Sequence, residues 1–434
     1  MNKFKPVMAS IVSLAVLASV GACGETNSSS GSSDGTVTIK IQNYDTGFGA
    51  PSGKNKGADL WNKYMKEHPN VKIEETRAAS SDDARAAFNT AISTGSNAYD
   101  VYLADIDWMP SIVAMADKFV DLTPYAKDND WTDVKRETAT VNGRLIGAGT
   151  DSGPEAICYR ADLLEKAGFP SDRESVAKWI GGENATWESY FKAGKEYTEK
   201  TGLPWFDSLA STWQSMINQV DESYISRDSN EVIATTNDKV KSDYDQLTSV
   251  TDLSAHLVQW SDDWNAAFGA DDGFATIQCP MWMLNTIRGN SGEDFKGWDI
   301  ADVFPGEGGN WGGAFFVVPE SSPVKEEAAK LVTWLTAKDQ QVDMFTKADH
   351  YPSSVSARKD PAVYDKTDEW FNNAPIGKIY DNQANAYKIN PYKGDQYFDI
   401  QSKMIDALNR VDATKEQTPS ESWKQWVNDV KALS

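Results

Sequence analysis

Val37-Thr38-Ile39-Lys40-Ile41-Gln42-Asn43-Tyr44-Asp45 is the stretch on which the fold class turns. Val37, Ile39 and Ile41 alternate with polar residues, the two-residue period of a strand with one buried face. A Gly-containing loop follows. Leu60, Trp61, Tyr64 and Met65 then share one helical face, and Pro69 closes the segment. Val71-Lys72-Ile73 reads as a second strand, Phe88 and Ile92 lie one turn apart on a second helix, and residues 99–103 form a third strand. Strand and helix alternate from the start, which predicts an α/β fold with largely parallel strands. In open sheets of that kind ligands sit beyond the carboxyl ends of the strands, where Asn43, Tyr44, Asp105, Asp107 and Trp108 fall.

A second α/β block begins after residue 153. Ala156-Ile157-Cys158-Tyr159 reads as a strand. Thr186 can cap a helix carrying Tyr190, Phe191 and Tyr197 that ends at Gly202. Residues 203–206 read as another short strand. Near the C-terminus, Thr418-Pro419-Ser420-Glu421 is a capping box with proline at the first helical position, and Trp423, Trp426, Val427 and Val430 line one face of the helix that follows.

The N-terminus carries an address. Lys3 and Lys5 precede an apolar stretch over residues 7–20, too short to span a membrane as a typical helix. Val20-Gly21-Ala22-Cys23 then resembles a bacterial lipobox. This predicts a signal peptide over 1–22, lipidation of Cys23, and a Ser/Gly-rich flexible tether over 23–36. The expected location is extracellular, at the outer face of the cell membrane.

The 434 residues carry a formal net charge of −22, which repels phosphate backbones and makes nucleic acid a poor partner. Sixteen Trp and sixteen Tyr are many for this length; some belong to the core, and an excess beyond it would suit a ligand site lined with flat amphipathic rings. His68, His256 and His350 show no metal-ligand spacing, and no Walker-type loop, Gly-x-Ser-x-Gly elbow or Cys-x-x-Cys is present, so no metal, cofactor or catalytic residue is expected. Cys158 and Cys279 are able to pair outside the cell; buried free thiols are the reading adopted here.

The run Cys158-Tyr159-Arg160-Ala161-Asp162-Leu163-Leu164-Glu165-Lys166-Ala167-Gly168, then Thr186-Trp187-Glu188, and Trp311-Gly312-Gly313-Ala314-Phe315-Phe316-Val317-Val318-Pro319 ahead of a helix around Glu326 to Leu335, resembles the solute-binding proteins of carbohydrate ABC importers, the maltose-binding-like family. Arg160 stands where that family usually has Asn. A narrower likeness, to cellobiose-type binding lipoproteins of high-GC Gram-positive bacteria, rests on Gly149-Thr150-Asp151, Cys158-Tyr159-Arg160 and Cys279-Pro280-Met281-Trp282. The resemblance implies a two-lobed periplasmic-binding-protein-like (type II) fold with a hinge. Lobe 1 would comprise residues 37–152 plus 312–352, and lobe 2 residues 154–308 plus 358–434. It implies a monomeric, non-enzymatic receptor that passes an oligosaccharide, of the β-linked cello-, xylo- or manno- type, to ABC permease subunits. The competing expectations are a lipid-anchored glycoside hydrolase and a receptor for an α-linked sugar. Matching position by position, the resemblance places substrate contacts at Asn43, Tyr44, Asp107, Trp108, Asp207, Trp282, Trp311 and Tyr397. Trp61, Trp187, Trp334, Trp423 and Trp426 are expected in the core.

Overall fold

The computed structural model describes residues 35–53 and 55–433. The expected signal peptide, Cys23 and most of the tether lie outside the described residues. Strands β1 (Val37–Asn43), β2 (Val71–Arg77), β3 (Val101–Asp105) and β4 (Ala148–Gly149) come first. β5 (Glu155–Arg160), β6 (Thr276–Pro280) and β7 (Trp298–Ala301) form a separate sheet, and β8 (Ala314–Val317) returns to the first. The first sheet has the order β2-β1-β3-β8-β4 and the second β7-β5-β6.

The helices between β1, β2 and β3 make those three strands parallel, as the alternation predicts. The expectation of largely parallel strands stops there. β8 runs antiparallel to β3 and β4, and the second sheet is antiparallel throughout. Periodicity marks a strand but carries nothing about the direction of a partner that arrives more than a hundred residues later. Residues 203–206 are not a strand either. Phe206 makes only an isolated bridge to Ser254, because the segment crosses into the helix Leu209–Ile217 after a few residues.

Two bodies of apolar packing result. The first core draws only on residues 39–148 and 314–348; the other two apolar clusters draw on residues 156–304 and 363–430, joined by Phe345 and Tyr351. This is a two-lobed architecture. The chain passes between lobes at Asp151-Ser152, which pairs antiparallel with Tyr351-Pro352, and at the return through Gly309 to Gly313. Backbone contact there is close. A Cβ on Gly153 would lie 1.9 Å from the Trp311 carbonyl oxygen, and Gly312 and Gly313 have φ of 90° and 101°. Only glycine fits such a crossing.

Local signals behave as their chemistry requires. Thr186 and Thr418 each close a capping box, and Gly202 ends the helix Trp187–Thr201 in the left-handed conformation. Trp61, Trp187 and Trp426 are buried, while Trp334 and Trp423 pack partly buried against the cores. Cys158 and Cys279 are not free thiols. They form a disulfide between β5 and β6 across a sequence separation of 121. Adjacent antiparallel strands bring their Cα atoms to 5.5 Å, a pairing that spacing in the chain could not reveal.

Candidate ligand-binding cleft

A cavity of about 610 Å³ lies where the lobes and the crossing segments meet. Ile106, Pro110 and Lys135 come from the first lobe, Pro154, Gly309, Asn310 and Gly312 from the crossing, and Asn218, Tyr387 and Lys393 from the second lobe. Its size suits a small-molecule ligand of several rings.

The turn after β1 lies behind the cavity, and none of its residues lines it. Asn43 is buried, and its own chain consumes its polar atoms: Nδ2 donates to the Asp45 carbonyl at 2.7 Å and to Glu75 Oε1 at 2.7 Å, and Oδ1 accepts from the Asp45 amide. Asn43 therefore sets the turn that presents Tyr44, whose ring lies 5.8 Å from Trp108. Trp108, expected at the cleft, is 1% exposed in the first core and sits 6.0 Å from Phe88. Asp105 caps the single turn Ile106–Trp108, and the indole packs inward against Phe88 and Tyr44, which come from earlier elements.

Asp107 faces the other lobe and ion-pairs with Lys393. Lys393 Nζ also sits 4.8 Å above the Tyr397 ring. A second link lies nearby between other elements, with Arg85 bonded to Asp399 at 3.1 Å and its guanidinium 3.9 Å above the Phe398 ring. Tyr397 opens the helix Tyr397–Val411. It is buried, and its hydroxyl has no hydrogen-bond partner among the described residues.

Trp282 and Trp311 come together. Their rings meet edge to face at 5.3 Å, and Trp282 Nε1 donates to the Trp311 carbonyl at 2.9 Å. Both are partly buried beside Gly312 at the hinge edge of the cavity. Asp207 is elsewhere. It is fully buried in the second lobe, accepting from Trp264 Nε1 at 2.7 Å, and burial lifts its carboxyl to about 6. It supports a tryptophan rather than opening onto the cavity.

Sequence reasoning missed several groups here. Burial and the neighbouring Asp107 carboxylate raise Asp105 to about 7. Burial lowers Lys135 to about 8; its Nζ lies 4.1 Å from the centre of the Phe315 ring and has no hydrogen-bond partner among the described residues. Glu155 at the start of β5 is fully buried; Ser215 donates to Oε1, Oε2 has no partner, and burial pushes the carboxyl to about 8. Asn218 Oδ1 is also buried and unpartnered. Of these, Lys135 and Asn218 line the cavity, and polar atoms left idle there are groups that a ligand's own polar atoms satisfy. No local sequence signal distinguishes them among 64 carboxylates and 42 cationic side chains. Among the described residues no group of three or more His, Cys, Asp or Glu is placed to hold a metal ion.

Comparison with known proteins gives a consistent picture. Residues 59–374 match the family described as bacterial extracellular solute-binding protein. A lactose-binding protein of Rhizobium radiobacter is 27% identical over 279 residues, covering 61% of this chain and 61% of the relative. An arabinooligosaccharide-binding protein of Bacillus subtilis is 26% identical over 254 residues, 56% of this chain and 52% of the relative. The chain thus spans well under two thirds of the length of either. A solved extracellular solute-binding protein of family 1 is 41% identical, covers 91% of this chain and 99% of its own, and superposes with a TM-score of 0.79. The ABC transporter associated binding protein of B. animalis subsp. lactis, solved with beta-1,6-galactobiose, shares the fold at 18% identity over 91% of this chain and 97% of its own, with a TM-score of 0.74.

Proposed function

Because the chain belongs to the bacterial extracellular solute-binding proteins, we propose that it is the non-catalytic receptor of an ABC importer, capturing an oligosaccharide between its lobes. The observation that carries this reading is the cavity itself. It is bounded by both lobes and the crossing strands; Trp282 and Trp311 pack behind its lining residue Gly312, and its lining residue Lys393 ion-pairs with Asp107. Rings cover the apolar faces of a sugar, and planar polar groups bond its hydroxyls. Tyr44, Asp107, Trp282, Trp311 and Tyr397 are the ligand contacts in this reading. Asn43, Trp108 and Asp207 hold the walls behind them.

The lobes are residues 37–152 plus 312–352 and residues 154–308 plus 358–434; the first core supports the division, while Phe345 and Tyr351 pack in a cluster of the second lobe. Ligand touches both lobes only when they close, so binding shifts the population toward the closed form that the permease subunits recognise. The receptor works as a monomer held at the outer face of the membrane by a lipid on Cys23. The ligand is a β-linked cello-, xylo- or manno-oligosaccharide, a choice that follows the cellobiose-type likeness around residues 149–160 and 279–282. The names of the lactose- and arabinooligosaccharide-binding relatives support the sugar class.

Calorimetry against cello-, xylo-, manno-, malto- and raffinose-type oligosaccharides tests the reading. One β-linked series should bind, raise the melting temperature and compact the protein in X-ray scattering. Indifference to every saccharide, or release of cleaved product, sinks it; binding confined to malto- or raffinose-type ligands overturns the β-linked assignment alone.

A further inference from the structure

We propose that Trp260 is an outer sugar-stacking residue, one that takes a ring beyond those held at Trp282 and Trp311 and so makes the receptor select longer oligosaccharides. The proposal rests on the oligosaccharide reading above and names a residue and a chain-length preference that the reading leaves open.

Trp260 is 54% exposed, the only exposed tryptophan of sixteen; the others are buried or partly buried. It also occupies a backbone position that a bulky residue avoids. The Ser261 amide donates to the Val258 carbonyl at 3.1 Å, closing a four-residue turn, and Trp260 is its third residue with φ of 70°. Turns with positive φ at that position ordinarily take glycine. An indole there is strained and half in water, a combination that folding alone gives no reason to keep.

The turn is held rigidly on both sides. Upstream, Ser254 Oγ donates to Asp412 at 2.9 Å and His256 Nδ1 lies 2.7 Å from the same buried carboxylate. Downstream, Ser261 caps the helix Asp262–Ala267 by accepting from the Trp264 amide. The turn that presents the ring is thus tied down, and the ring does not stand alone. It stacks on Trp282 at 6.0 Å with an interplanar angle of 27° and touches Trp264 at 4.9 Å. Trp282 meets Trp311 at the hinge edge of the cavity. The rings thus form one row running from the hinge, beside the cavity's lining residue Gly312, to the surface. Val258, 44% exposed in the same turn, widens its apolar rim. A rigid exposed ring that continues such a row beside a sugar cleft is suited to the apolar face of a pyranose.

The test is calorimetry of the full chain with cello-, xylo- and manno-oligosaccharides of two to five units, comparing wild type with W260G, W260A and W260F. W260G suits the turn and keeps the fold while removing the ring. For W260G and W260A, affinity for the longest chains that bind should fall about tenfold while disaccharide affinity stays within about twofold, and W260F should retain most of the affinity. An equal fall at every length, or no change at any length, overturns the proposal while leaving the sugar reading intact. Unchanged affinity with impaired uptake assigns Trp260 to the transporter and likewise overturns it. A wild type that binds no member of any series fails the underlying reading, and the proposal with it.

Discussion

Replacing Glu155 with Gln should make the protein more stable at neutral and alkaline pH, and the gain should grow with pH. Glu155 is fully exposed to no solvent, has one unpartnered oxygen, and is raised by burial from 4.5 to about 8. The folded chain holds this proton more tightly than the unfolded chain does. The stability linked to the group is therefore complete below pH 4.5 and is lost as pH rises to about 8. The displacement from 4.5 to about 8 corresponds to roughly 5 kcal/mol when fully expressed, and to roughly 3 kcal/mol at pH 7. Gln is the isostere of the protonated acid. Its carbonyl oxygen accepts from Ser215 as Oε1 does, and its amide donates where the acid O–H would. Urea unfolding followed by tryptophan fluorescence at pH 5, 7 and 9 measures the difference. E155Q should match wild type within about 1 kcal/mol at pH 5, exceed it by roughly 3 kcal/mol at pH 7, and exceed it by roughly 5 kcal/mol at pH 9. Asp105 and Asp207 titrate in both proteins and cancel in the comparison. Parallel stability curves over this range would refute the reasoning.

Arg288 joins Asp349, at 2.9 Å, to Asp368 in a buried cluster that Lys56 completes. R288M leaves Asp368 without its cation and Asp349 with Lys56 alone, and should cost about 3–5 kcal/mol, read as a lowered denaturation midpoint in urea. Removing the disulfide with C158S/C279S should cost about 2–5 kcal/mol, and wild type under reducing conditions should show a similar loss in thermal unfolding. Burial pulls His350 down, yet the Asp45 carboxylate at 2.7 Å outweighs it and the ring is held at about 10. Its stabilisation is complete below 6.5 and disappears as pH climbs to about 10, so H350Q should be destabilised by roughly 2–4 kcal/mol at pH 6 and near wild type above pH 10.

Elements whose signals are local were legible in the chain. β1 and its two parallel neighbours follow from alternation, and the capping boxes at Thr186 and Thr418 fix their helices because cap and partner lie three residues apart. Trp282 and Trp311 were legible as a pair of site candidates because each stands in a recognisable motif, although their mutual contact spans 29 residues. Trp260 carries no such motif. Its exposure and positive φ exist only once Asp412 and Trp282 have arrived from distant parts of the chain.

The sequence by itself determined where helices begin, which faces are apolar, and the family to which the motifs point. These are properties of residues within a turn or two of one another. Tertiary structure alone decided that Trp108 turns inward, that Cys158 and Cys279 bond, that β5 to β7 run antiparallel, and that Glu155 is held protonated near neutral pH. Each of these depends on groups brought together across long stretches of chain. Burial and proximity are created by packing, and neither is encoded at any single position.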